Sequence, residues 1–527
     1  MAKGFLSIVL HAQLPFVRHP ERTDVLEELW LHEAITGTYL PLLQAFEGLV
    51  TDGVPFRCTV SLSAPLVSMM ADDLLKTRAA AYLDKLIELA EKEQDRTRSE
   101  PHYHRLAQMY SDRFRSLRHT WRCHDGDLVR AFRKLQDAGR IEVITSTATH
   151  AFFPLMDRNW SAIRAQVHTA ADLYERHFGG RPPGMWLGEC GYVPGVDELL
   201  REAGIRYFFV DTHAMLFADP APVYGSYAPI YCRTGVAAFA RDVESSVQVW
   251  SAKEGYPGDP HYRDFYRDIG YDLPMDYIRP YIHPEGHRIY TGIKYHAITH
   301  QKLHDKWVYD PGIARRRAGE HAAHFRENRQ RQVEHLAANM DRPPIIVSPY
   351  DAELYGHWWF EGPQFLDDLF RQLHYDQDTV ETITPGDYLR RHPTNQVATP
   401  SASSWGKGGY SEYWLNESNA WIYRHLHAAA ERMVELARRF PNAEGLVARA
   451  LNQAARELML AQSSDWAFIM TTGTMVPYAE RRTNEHILRF NRIHEGLLSG
   501  GVDESWLREA ESQNNIFPDV DYRLYAT

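Results

Sequence analysis

Cysteine is scarce in this chain. Four in 527 residues (Cys58, Cys123, Cys190 and Cys232) stand far apart with no CxxC pair, which argues against a disulfide framework or a zinc ribbon. No apolar run reaches the ~18–20 residues of a membrane span. The opening MAKGFLSIVLHAQLPF meets His11 and Pro15 too soon for a signal peptide. A soluble, cytoplasmic protein with no membrane partner is the expectation. Positive charge is also short: 58 Lys and Arg against 69 Asp and Glu leave a net charge of −11. Nucleic-acid binding wants a basic face that displaces counterions, so no nucleic-acid partner is expected. Aromatic residues, by contrast, are plentiful at 12 %, with 13 Trp and 29 Tyr. They furnish either a large core or exposed faces on which sugar rings stack.

At this length two to four domains are expected, though a barrel can exceed the usual size as one unit. Short apolar runs recur after helical stretches closed by glycine, and each run ends in a polar residue. FLSIVL leads to His11, FRCTVSL to Ser63, IEVITS to Thr149-His150, GMWLG to Glu189, IRYFFV to Asp211 and PPIIVSPYD to Asp351. That repetition is the signature of βα units around a parallel sheet. In a barrel the polar residues then fall on the face where active sites collect. A charged helical stretch at about 66–130 interrupts the alternation as an insertion. Beyond about 400 the periodicity is purely helical, with Ile422, Leu426, Ala429, Met433 and Leu436 on one stripe. The Ser-, Pro- and Gly-rich join RRHPTNQVATPSASSWGKGGY places a boundary there, giving 1–400 and 401–527.

Two acids stand out. Glu189 in GMWLGECGYVPG and Asp351 in IIVSPYDAELYGHWWFEGP each follow a strand at once and are framed by aromatic residues. Either could be an ordinary capping or salt-bridged acid. As a pair they meet the need of a retaining glycosidase, which uses one carboxylate as nucleophile and one carboxylic acid to protonate the leaving oxygen. Their pKa values must be split, and an apolar aromatic wall raises one of them by desolvation.

Five blocks in order then resemble glycoside hydrolase family 57: HAQLPF, GRIEVITSTATHAFFP, WLGECGY, SPYDAELYGHWW and the region of ITPGDYL. Within that family the chain is most similar to the branching-enzyme type, through LEELWLHEAITGTYLPLL, VWSAKEGYPGDP, WLNESNAWIYRHLH and QSSDWAFIM. The resemblance implies an incomplete (β/α)7 barrel (1–400) with the helical insertion, and an all-helical C-terminal domain (401–527) closing over the cleft. It implies transfer of an α-1,4-glucan chain to a 6-hydroxyl, with no metal and no cofactor. Glu189 would be the nucleophile and Asp351 the general acid/base. Arg241, Gly258, Trp405 and Asp465 fall where the family binds glucan, His11, His150, Trp250 and Trp414 would line the donor site, and Gln13 and Trp358 are further candidate substrate-binding residues. Trp405 and Trp414, beside the glycine-rich GKGGY, are expected to roof the cleft and stack an acceptor. Oligomeric state is not legible.

Three departures bear on the outcome. The usual HxH of the first block has Gln13 as its third residue, which hydrogen-bonds but takes no proton. No Tyr lies between Arg233 and Val249, where some branching members carry a loop tyrosine. Gly188 and Gly191 replace the commoner Pro and Ala and are expected to loosen the nucleophile. The alternatives are an α-amylase-type hydrolase of the same glucan, a catalytically weak glucan-binding homologue, and a metal-dependent deacetylase that would gather His11, Asp351 and His357 on one ion.

Overall fold

A computed structural model describes residues 2–251, 255–299 and 305–526. β1 (Gly4–Ala12) is buried along its whole length, as an apolar strand covered on both faces of a parallel sheet must be. β2 (Cys58–Leu62) and β3 (Ile141–Ser146) are likewise fully buried. They are followed by β4 (Gly184–Trp186), β5 (Tyr207–Val210), β6 (Ile230–Tyr231), β7 (Ala237–Ala240), β8 (Ile345–Asp351) and β9 (Val380–Thr382). The sheet runs β6-β7-β5-β4-β3-β2-β1-β8, with β9 added beside β1. From β7 to β8 every pairing is parallel; only the edge strand β6 is antiparallel. The seven strands from β7 to β8, parallel and curled without closing, are the incomplete barrel expected from the sequence.

The helices between strands start where side chains can cap them. Ser63, Asp72, Asp127 and Asn159 each accept a backbone N–H of the following first turn, satisfying donors that a helix leaves unpaired. The insertion after β2 is a pair of long helices, Asp73–Arg96 and Pro101–Cys123. A second excursion, mostly irregular, runs between the helix Val243–Trp250 and the helix Pro311–Ala337 and was not foreseen. The chain ends in helices at Tyr423–Arg439, Gly445–Ala461, Ser464–Thr472, Val476–Ser499 and Glu504–Gln513. They are seated on the barrel face by backbone as well as side chains: Ala151 pairs with Ser463, and the Thr149 hydroxyl donates to the Met459 carbonyl at 2.5 Å. No described helix is long and apolar enough to cross a membrane.

Candidate active site

Strand register sets the first layer of the site. Ser61, His11 and Asp351 stand abreast at the carboxyl ends of β2, β1 and β8, so their side chains leave the sheet on one side. The His11 ring is stacked between Trp186 (centroids 4.6 Å) and His150 (5.0 Å). A file of hydrogen bonds then crosses the barrel mouth. His11 Nδ1 meets Ser61 Oγ at 3.0 Å, the two Nε2 atoms of His11 and His150 meet at 2.9 Å, and His150 Nδ1 meets Ser464 Oγ at 2.8 Å. Ser464 Oγ reaches Glu189 Oε1 at 3.0 Å. With Glu189 ionised, one direction satisfies every member: Ser61 donates to His11, His11 to His150, His150 to Ser464 and Ser464 to the carboxylate. Burial holds both imidazoles neutral, His11 well below its usual pKa and His150 down to about 4.

Glu189 sits on a turn that needs unusual backbone. It has φ +60°, the next residue Cys190 has φ +51°, and His150 opposite has φ +56°. Non-glycine residues in that region cost about 1–3 kcal/mol each and persist where their surroundings over-determine them. The flanking glycines supply that fit. A Cβ on Gly188 would stand 2.5 Å from the Ala151 carbonyl oxygen and 2.8 Å from that of His150, and one on Gly191 would strike the Phe152 ring at 2.8 Å. The expectation that these glycines loosen the nucleophile is therefore corrected: they let the 150–152 backbone pass against the turn and fix it. Gly188→Ala is expected to destabilise the fold by about 1–3 kcal/mol. It should also lower activity more than the lost stability explains, which thermal melts and kcat on the folded fraction would separate.

Four carboxyl groups share the cleft. Glu189 accepts from the Trp405 indole (Nε1 to Oε2, 2.9 Å) as well as from Ser464. Asp465 accepts from Gln13 Nε2 at 3.0 Å and from Ser463 Oγ at 2.7 Å. Glu353 accepts from the Tyr39 hydroxyl at 2.5 Å and from the Gln13 backbone N–H at 3.2 Å. Asp351 has no hydrogen-bond donor among the described residues. Burial, reinforced by the charges of Glu353, Glu189 and Asp465, pushes its pKa well above the usual carboxylate range. Burial also raises Glu189, but its two donors oppose the rise. Desolvation lifts Glu353 to about 7.

The remaining candidates are spread more widely. Arg241, after β7, donates to Asp211 after β5 at 2.6 Å. Trp250 and Trp358, 46 % and 44 % exposed, meet edge to face at 6.5 Å and offer open aromatic faces beyond β7 and β8. Gly258 is the exposed end of the turn Tyr256–Gly258, whose Tyr256 is buried, with no hydrogen bond to the carboxyl cluster; three residues of the VWSAKEGYPGDP stretch, 252–254, lie outside the described residues. Trp405 packs edge-on to Trp186 at 4.8 Å and its indole is committed to Glu189, so it faces that carboxylate. Trp414 is a correction. It is 1 % exposed and stacked on Phe152 at 4.3 Å, part of the core and no stacking roof. His11, Asp351 and His357 are not gathered as a metal site either: His357 turns to Glu33, 4.0 Å away, and the three form no ligand group among the described residues. Sequence reasoning missed Ser464, Glu353, Tyr39 and Ser61. Ser464 and Glu353 were in view within SSDW and DAEL, beside the acids that were chosen.

An open parallel barrel with an aromatic-walled carboxyl cluster at its strand ends defines a glycoside-processing α/β protein. The chain belongs to glycosyl hydrolase family 57, whose sequence profile matches residues 7–324. The profile described as the C-terminal region of 1,4-α-glucan branching enzyme matches residues 425–525. Over 98 % of its length the chain is 34 % identical to a 1,4-α-glucan branching enzyme of Thermococcus kodakarensis, covering 78 % of that protein. Among solved structures, the α-amylase AmyC of Thermotoga maritima is 46 % identical with a TM-score of 0.94, covering 99 % of both chains. The family 57 branching enzyme of Pyrococcus horikoshii is 32 % identical with a TM-score of 0.89, over 100 % of this chain and 97 % of that one.

Proposed function

We propose that the protein is a 1,4-α-glucan branching enzyme working by retaining double displacement, with Glu189 as nucleophile and Asp351 as general acid/base. One observation carries the assignment of roles: two carboxyl groups in one cleft are treated oppositely. Glu189 takes hydrogen bonds from Trp405 and Ser464, which favour its anion. Asp351 takes none and faces three other acids, which favour its protonated form. Asp351 gives its proton to the glycosidic oxygen while a Glu189 oxygen attacks C1 and the reducing-end fragment leaves. The Asp351 carboxylate then removes the proton from a 6-hydroxyl of a second glucan, whose oxygen displaces Glu189 from C1. The file from Ser61 to Ser464 orients Glu189 without moving a charge, because both imidazoles are neutral.

In this reading residues 401–527 close the cleft over the barrel of 1–400, and Trp250 and Trp358 offer stacking faces to an α-1,4-glucan. Gln13 and Asp465 hydrogen-bond the sugar nearest the nucleophile; His11 and His150, whose ring nitrogens are all taken up in the file to Ser464, act behind them by orienting Glu189, and Arg241 lies further along the same face. Two specific observations favour a second outcome, hydrolysis: the relative at 46 % identity is named an α-amylase, and residues 233–249 form β7 and a helix with Phe239 buried, without a tyrosine-tipped loop. Amylose incubated with the protein and scored by proton NMR separates the two. New 1,6 linkages in excess of new reducing ends, lost in Glu189→Gln and Asp351→Asn, are expected for a branching enzyme; reducing ends alone would make it a hydrolase.

A further inference from the structure

Away from the barrel mouth, the second excursion turns through Ile282-His283-Pro284-Glu285-Gly286-His287. The loop is closed on itself: the Gly286 N–H donates to the His283 carbonyl at 2.8 Å and the His283 N–H to the His287 carbonyl at 3.2 Å. Gly286 has φ +88°, which a side chain there would resist. Three side chains are thereby presented together. One ligand atom from each of His283, Glu285 and His287 lies within 4.8 Å of the others, the only such group of His, Cys, Asp and Glu among the described residues.

The tautomer of His283 is set from behind. Its Nε2 lies 2.7 Å from the Asp24 carbonyl oxygen, which only accepts, so the ring proton is on Nε2 and Nδ1 carries the lone pair. A histidine that gives its far N–H to a carbonyl is the usual arrangement behind a metal ligand. That lone pair is met only by the Glu285 backbone N–H at 3.2 Å. His287 Nε2 stands 3.5 Å from Glu285 Oε2, and both side chains are exposed while His283 is buried. The loop borders a polar cavity of about 520 Å³ shared with His19, Glu21 and Asp24, which leaves room for solvent ligands. Five arginines line its wall and each is ion-paired: Arg18 with Asp72, Arg22 with Asp24, Arg481 with Glu27 and Glu485, and Arg482 and Arg489 with Glu485.

We infer that His283, Glu285 and His287 form a binding site for a divalent transition-metal ion of the zinc class, completed by water. Two imidazoles and one carboxylate suit zinc; calcium and magnesium prefer all-oxygen shells. Through the His283–Asp24 bond the ion ties the second excursion to the segment that follows β1. It takes no part in the glycosyl steps.

The test uses the full chain without an affinity tag, stripped with EDTA and titrated with Zn²⁺ against a chromogenic chelator. One tight site is expected, weakened at least about tenfold by His287→Ala and by Glu285→Ala. Both residues are exposed, so both variants should keep the parent circular dichroism. Zn²⁺ should raise the melting temperature of the parent more than that of either variant at the same concentration. No zinc retained against the chelator, or equal retention in the variants, would overturn the site; displacement of Zn²⁺ by equimolar Ca²⁺ would overturn the assigned metal class.

Discussion

Glu189→Ala abolishes turnover of amylose, by at least about 10⁴-fold in kcat, and azide restores it with inversion. The reasoning is geometric. Alanine removes the carboxylate from beneath Trp405 and Ser464, which otherwise hold its two oxygens at 2.9 and 3.0 Å, and the vacated space admits a small anion. With Asp351 intact to protonate the leaving oxygen, azide attacks C1 directly in a single displacement. The product is then the β-glycosyl azide, opposite to the α configuration of the substrate. Glu189→Gln fills the same space, so it should be equally inactive yet show no rescue. The pair of variants separates loss of a nucleophile from loss of shape. An α-azide from Glu189→Ala would mean that another residue still forms the covalent intermediate.

Much of this site could be read in the sequence because parallel strands advertise themselves. An apolar run ending in a polar residue marks the carboxyl end of a buried strand, and His11 and Asp351 were found that way; register then set them side by side. What the sequence hid were the partners contributed from far along the chain. Ser464 reaches Glu189 across 275 positions, and Tyr39 reaches Glu353 across 314; neither has any local pattern. Trp414 was misjudged for a physical reason. Glycine next to tryptophan suggested an open loop, but a Cβ on Gly406 would stand 2.6 Å from the Trp414 ring. That glycine makes room for a buried indole. Gly188 was misjudged in the same way, since a missing side chain signals close approach as readily as freedom. The second excursion escaped notice because its described residues hold only short helices (such as Ile269–Asp272 and Met275–Ile278) and show no period to detect.

Asp351→Ala divides substrates by their leaving group. On amylose, whose leaving alcohol needs a proton, kcat/KM is expected to fall by about 10²–10⁴-fold. On an α-maltosyl fluoride, whose leaving group needs little protonation, formation of the glycosyl-enzyme should be nearly unimpaired. The intermediate then accumulates, because no base remains to activate the acceptor, and azide should speed its release as the α-azide. The pH profile gives the second signature. In the parent, activity falls as pH rises through the pKa of Asp351, which burial and three neighbouring carboxyl groups hold well above its ordinary 3.8. It falls again as pH drops through the pKa of Glu189, raised from 4.5 by burial. The variant should lose the part of the alkaline limb that belongs to Asp351, keeping only what unfolding imposes, and keep the acidic one. Stability must be followed alongside, and its signs are opposite for the two kinds of group. Glu353, raised from 4.5 to about 7, stabilises the fold fully below 4.5 and loses that contribution as pH rises through about 7. His150, lowered from 6.5 to about 4, contributes above 6.5 and loses it as pH falls through about 4. Both groups remain in Asp351→Ala, so unfolding should trim both ends of its profile much as in the parent. An alkaline limb that vanishes on the fluoride while the melting curves still match belongs to the proton on Asp351; a residue that only shaped the cleft would slow both substrates alike.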